Sequence, residues 1–320
     1  MRREYASIAA MGAILVGSQV IAILLAPLFL TGGFQAFPNP SDVTNTAVYI
    51  VLILAFTGVI LLLVRFRRQN VAKYVILASI FVTLAFILLL PLYVGLYYAT
   101  GQPVDDNQLA FLANLSTLLS FVIAGGLIYV LVKFPEWYVV DTVGIVTAAG
   151  VTAILGISFG ILPAILLLVA LAVYDAWAVY HTKHMVTLAD ELTSQRLPIL
   201  LVIPKKAGYS FREQKSLKEQ MATGEEREAM FVGLGDLIIP GILSVSAFTF
   251  LGPLSGSSAG LPGSLLVAIG SVIGSLGGFL VLMRFVLKGN PQAGLPLLNG
   301  GALLGFLITS LLVYGHVTIL

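Results

Sequence analysis

Nine apolar stretches, most near the length a helix needs to cross a bilayer, recur along this chain and leave it few ways to fold. A hydrocarbon core about 30 Å thick takes roughly 20 helical residues to cross, since each adds about 1.5 Å of rise. The approximate cores are Ala9 to Leu30, Thr46 to Val64, Tyr74 to Tyr97, Leu109 to Val132, Asp141 to Leu155, Leu162 to Tyr180, Phe231 to Leu251, Leu265 to Leu287 and Leu297 to Val313. The fifth is the shortest and is rich in Gly and Thr. Lipid offers the backbone no hydrogen-bond partner, so such spans must be helical. Composition agrees: 58% of the 320 residues are hydrophobic, 10% are charged and the mean hydropathy is +1.01, too apolar for a water-soluble globular domain. The fold class is therefore an all-α integral membrane protein of about nine transmembrane helices.

Positive residues concentrate in cytoplasmic loops and so test the count. Nine alternating spans with a cytoplasmic N-terminus put all 17 Lys and Arg residues on one side, from Arg2 and Arg3 through Arg65, Arg67, Arg68, Lys73 and Lys133 to the series between Lys183 and Lys288. The opposite loops carry Asp42, Asp105 and Asp106. This predicts the N-terminus inside and the C-terminus outside. The apolar run after Arg2 and Arg3 reaches Leu30, longer than the core of a cleaved signal, and reads as the first span. A net charge of +2 reflects this orientation and implies no nucleic acid. With no cysteine, disulfides and thiol nucleophiles are excluded.

The chain divides into helices 1 to 6 over residues 1–180, a cytoplasmic loop over 181–230 and helices 7 to 9 over 231–320. Within the loop, 183–195 suits an interfacial segment. The run Ile199 to Ile203, bracketed by Pro198 and Pro204, is far too short to span and suits a short edge strand. Lys205 to Glu228 is densely and oppositely charged, like a solvated loop. Gly270, Gly274, Gly277 and Gly278 in the eighth span, and Gly300, Gly301 and Gly305 in the ninth, permit close helix packing.

Of the 15 acidic residues, Asp175 and Asp236 lie well inside expected spans. An ionisable group in lipid is expensive to keep, which makes each a functional candidate. Each stands six residues from a cytoplasmic helix end, roughly 9 Å deep, so side-by-side helices would bring the carboxyls face to face. Two carboxyls held close in a low-dielectric site tend to share a proton, and one can act as base while the other acts as acid. Peptide hydrolysis by an activated water needs that pair. A proton-coupled transporter or channel could use the same carboxyls, and so could purely structural contacts.

The surrounding residues shift that balance. Tyr174-Asp175 in one helix, then a cytoplasmic loop, then Gly233-Leu234-Gly235-Asp236 in the next resembles the presenilin and signal-peptide-peptidase family of Gly-x-Gly-Asp intramembrane aspartyl proteases. The family also carries Pro-Ala-Leu at the start of its last helix. Here Gln292-Ala293-Gly294-Leu295-Pro296 keeps the Leu and the flanking Gln and Pro while Ala293 and Gly294 replace the Pro and Ala, a departure that resembles an archaeal presenilin homologue. The resemblance covers about 160–310 by motif and 1–150 by span count. It implies that Asp175 and Asp236 are the catalytic pair of an intramembrane aspartic endopeptidase. It implies Tyr174, Gly233, Leu234 and Gly235 as active-site support, and Ala293, Gly294, Leu295 and Pro296 as substrate-binding residues. Polypeptides with transmembrane segments are the expected substrates, in a prokaryotic cell membrane. No cofactor, metal or accessory subunit is implied, and a homo-oligomer is left open.

Physical roles for these neighbours can be argued separately. Gly233 and Gly235 remove side chains around Asp236 and let another backbone approach. The Tyr174 hydroxyl suits either a bond to a carboxylate or packing in the bundle. Gly294-Leu295-Pro296 either offers free carbonyls to an extended substrate or is an ordinary helix entry. A helical substrate must unwind before attack, and a strand edge at Ile199 to Ile203 would receive the unwound segment.

Rival chemistries have weaker signatures. Gly156-Ile157-Ser158-Phe159-Gly160 matches a serine-nucleophile pattern without the strand-to-helix setting it needs. His181 and His184 lack a third metal ligand. Asp141 reads as an interfacial helix cap.

Overall fold

A computed structural model describes residues 2–66, 68–101, 105–182, 200–205, 209–211, 229–252, 262–287 and 292–317. Among the described residues nine apolar helices run in chain order: α1 (Arg2–Thr31), α2 (Thr44–Arg65), α3 (Gln69–Thr100), α4 (Asp106–Lys133), α5 (Trp137–Ser158), α6 (Ile161–Trp177), α7 (Leu234–Phe250), α8 (Gly263–Leu287) and α9 (Leu295–Tyr314). All but α7 are long and apolar enough, alone or with a π-helical turn Ala178–Thr182 after α6, to cross a membrane. Helix starts follow ordinary capping chemistry. The carboxylate of Asp105 accepts the Gln108 amide at 2.8 Å, and that of Asp42 accepts the Thr44 amide at 2.9 Å, which holds the Asp42 carboxyl below its usual value.

Packing explains which helices lie at the centre. α5 contacts α1, α7, α3 and α4 and is buried along most of its length, its small residues admitting neighbours. α2, α3 and α4 expose rows of Val, Leu and Phe, as lipid-facing helices do. α8 and α9 come closest: a Cβ on Gly274 would overlap the Gly301 carbonyl, and one on Gly278 the Leu297 carbonyl. The glycines singled out for packing therefore include residues that permit backbone-to-backbone contact. Polar glue joins α1, α7 and α8, where buried Gln19 donates to Ser275 Oγ at 3.1 Å and accepts from Ser244 Oγ at 3.2 Å.

The expected short strand forms as β1 (Leu200–Pro204) and pairs antiparallel with β2 (Ala229–Gly233), Val202 opposite Phe231. β2 overturns one expectation. Phe231, Val232 and Gly233 were read as the start of the seventh span, but they are extended, and α7 begins at Leu234. Asp236 is thus in the first turn of α7 rather than well along it. A second correction concerns Asp141. α5 starts at Trp137, so Asp141 is no interfacial cap but a buried residue in the helix's second turn, 6% exposed. The interfacial segment 183–195, Pro198, Ile199 and almost all of the charged loop to Glu228 lie outside the described residues.

Candidate active site

Three helix ends build the site. The C-terminal part of α6 carries Asp175, the first turn of α7 carries Asp236, and the start of α9 closes against both. The first amides of a helix have no partner within it. At α9 one of these orphan donors, the Leu295 N–H, is taken by Asp175 Oδ2 at 3.0 Å, so α6 caps α9 with its carboxylate. The Gly294 amide lies within reach of the same carboxylate. Pro296, at the second helical position, sacrifices no helical bond by lacking an N–H.

Asp236 sits against the end of β2, where a Cβ on Gly233 would lie 3.6 Å from its Oδ2. On the α9 side, a Cβ on Gly294 would lie 3.1 Å from Asp236 Oδ1 and 3.2 Å from Oδ2. One dipeptide, Gly294-Leu295, therefore touches both carboxyls. Asp175 is 7% exposed and Asp236 is half-buried. Beside Asp236, Gly235 is exposed, with nothing among the described residues within 4 Å of where a Cβ would stand. Further along α7, Pro240 removes the amide that would bond the Asp236 carbonyl, loosening the backbone at the site.

The remaining expected residues fall as follows. Leu234 packs among residues of α1, α5 and α8. Ala293 is buried behind the dipeptide. Tyr174 is 40% exposed, and among the described residues no hydrogen bond takes its hydroxyl to either carboxylate. Of the two readings of Gly294-Leu295-Pro296, the ordinary helix entry holds for the Gly294 carbonyl, which accepts from the Leu297 and Leu298 amides, so the α9 entry meets the site with amides. Two residues were missed. Asn299, fully buried one turn beyond Leu295, donates to the Leu168 carbonyl at 2.9 Å and ties α9 to α6 a second time. Its signal was a lone amide side chain in an apolar span. Asp141 accepts the Val202 amide at 2.8 Å; its signal was a third acid bordering a span.

The Asp141 bond also fixes which edges of the sheet are covered. Backbone groups of successive strand residues point to opposite edges. Since Val202 points its N–H at α5, Leu201 and Ile203 face β2, and Val232 and Met230 face back. Phe231 and Gly233 then point away from β1. Among the described residues β2 pairs with no strand other than β1, so within them its outer edge carries no partner strand, whereas on β1 the outward Val202 amide is taken by Asp141 of α5.

The family described as signal-peptide peptidase, presenilin aspartyl protease matches residues 12–315. Two solved structures of a presenilin family intramembrane aspartate protease are similar over 95% of this chain. One, in space group C222, is 34% identical with a TM-score of 0.63 and 99% of its own chain covered. The other, in space group P2, is 35% identical with a TM-score of 0.64 and 97% covered. No curated protein matches.

Proposed function

Since the chain belongs to the signal-peptide-peptidase and presenilin family of intramembrane aspartyl proteases, we propose that Asp175 and Asp236 are its catalytic pair and that a water between them hydrolyses peptide bonds in transmembrane segments. One carboxylate takes a proton from the water as its oxygen attacks the carbonyl carbon, while the other, protonated, donates to the carbonyl oxygen. When the tetrahedral intermediate collapses, the C–N bond breaks and a proton passes to the leaving nitrogen. Which Asp takes which part is a property of the pair. The reading is supported by the Gly294-Leu295 dipeptide, whose Leu295 amide bonds Asp175 while Gly294 lies beside the Asp236 carboxyl.

An unwound substrate segment would add as a strand to the outer edge of β2, which leads directly into Asp236. Main-chain pairing gives such addition little dependence on side-chain identity. The test is incubation of purified protein with a labelled transmembrane peptide, products read by mass spectrometry. Asp175→Asn and Asp236→Asn should each abolish cleavage and leave a folded, detergent-soluble protein, and the wild-type rate should fall on both sides of a pH window because the pair works singly protonated. Substantial turnover by either purified variant would overturn the assignment.

A further inference from the structure

Asp141 takes no part in that chemistry, yet it is a carboxyl buried in a membrane helix, where such a group persists only with a partner. Its partner is unusual. Rather than a basic side chain, it holds the Val202 amide at 2.8 Å, on the edge of β1 that faces away from β2. Three further contacts bring the same stretch of chain to the helices beneath it. Glu136, at the start of α5, accepts the Phe211 amide at 3.2 Å and the Ser210 hydroxyl at 3.0 Å. Ser7 of α1 donates to the Pro204 carbonyl at 3.2 Å. Gly144, three residues beyond Asp141 on the same helix face, lets β1 lie flush on α5, since a Cβ there would come within 2.9 Å of Leu201 Cδ2.

A two-stranded ribbon is marginal by itself and can slip in register. On the reading that the chain cleaves transmembrane segments at the Asp175–Asp236 site, we infer that Asp141 is a positioning residue: by bonding the Val202 amide it clamps the sheet to α5, closes β1 to strand addition and fixes β2's open edge relative to Asp236. It thereby sets which peptide bond of an added strand reaches the carboxyls. The role requires an acceptor and not a charge.

The experiment compares Asp141→Leu, which has no acceptor, with Asp141→Asn, which keeps one, in the full-length detergent-solubilised protein. Cleavage positions in a labelled transmembrane peptide and hydrogen exchange at the Val202 amide are read together. Asp141→Leu should cleave about tenfold more slowly, at scattered positions, with faster Val202 exchange. Asp141→Asn should restore all three. Wild-type positions and wild-type exchange in Asp141→Leu, or scatter in Asp141→Asn equal to that in Asp141→Leu, would overturn the proposal. If Asp141→Leu does not fold, Val202→Pro removes the donor while sparing the β1–β2 ladder. It should scatter cleavage likewise in a folded protein, and unchanged cleavage positions would count against the clamp. The exchange measurement needs no turnover, so an inactive wild type would discard the proteolytic reading while unaltered exchange would discard this one.

Discussion

At Gly294 the backbone is ordinarily helical, φ −78° and ψ −51°, so nothing in its torsions asks for glycine. What asks is space, because a methyl group there would press on both Asp236 oxygens at little more than 3 Å. Alanine should stabilise the unliganded protein slightly, by about 0.4–1 kcal/mol through the unfolded state where no crowding intervenes. The predicted result for Gly294→Ala is therefore a fold at least nearly as stable as wild type with a kcat down about tenfold or more, since displacing the carboxylate harms the reacting geometry. Gly235 provides the contrast. Among the described residues nothing stands within 4 Å of its Cβ position, so Gly235→Ala should leave kcat near wild type and raise KM if substrate approaches on that side. Thermal melts and Michaelis curves on the two variants check both statements, and a Gly294→Ala enzyme with normal kcat would show that Asp236 has room to spare. Asp175 and Asp236 were legible as single residues because charge is rare inside apolar spans. Asp141 was not, because the expected fifth span began at it and a carboxyl on a boundary reads as a cap.

Among the elements, the long helices follow from apolar runs of sufficient length, and β1 from a run too short to span between two prolines. β2 was hidden for a physical reason. Ala229 to Gly233 is apolar and passes without a break into Leu234, and periodicity cannot separate a short apolar strand from a helix turn. The strand exists because β1, already fixed on α5, supplies its ladder, a tertiary cause that no local pattern carries. Its consequence is that two prolines should act differently. Leu201 turns its amide toward Val232, so Leu201→Pro removes a ladder bond and should lower the melting temperature. Phe231 turns its amide to the open edge, so Phe231→Pro should keep the ladder and slow cleavage of transmembrane peptides. Phe231→Ala controls for the lost ring, which packs near Phe211. Equal rates for Phe231→Pro and Phe231→Ala would remove strand addition at β2 from the mechanism. Placing Gly in the substrate at the depth of the carboxyls should speed cleavage, because Gly weakens a helix by about 1 kcal/mol relative to Ala.

For the whole molecule, the question is which face of the membrane the site opens toward. If the nine helices alternate in direction, the ends of α2, α4, α6 and α8 share a side with the starts of α3, α5, α7 and α9. That side carries Arg65, Lys133 and Arg284 in the last turns of α2, α4 and α8, and Lys73 in the first turns of α3. The opposite ends carry Asp42 before α2 and Asp105 and Asp106 at the start of α4. On that premise Asp175, Asp236 and Leu295 all belong to the positive side, and the positive-inside rule predicts a site that faces the cytoplasm. The weak point is α7, whose 17 residues reach roughly 25 Å, short of a hydrocarbon core of about 30 Å. β2 runs directly into the start of α7, and extended backbone within a membrane would be tolerated there because β1 pairs with it. Reporters fused after Arg68 and within residues 205–228 should therefore be cytoplasmic, and one at the C-terminus should lie outside. A cytoplasmic C-terminus would mean that α7 fails to cross, which would place the start of α9 on the far side from Asp175 and break the Leu295 contact on which the site depends.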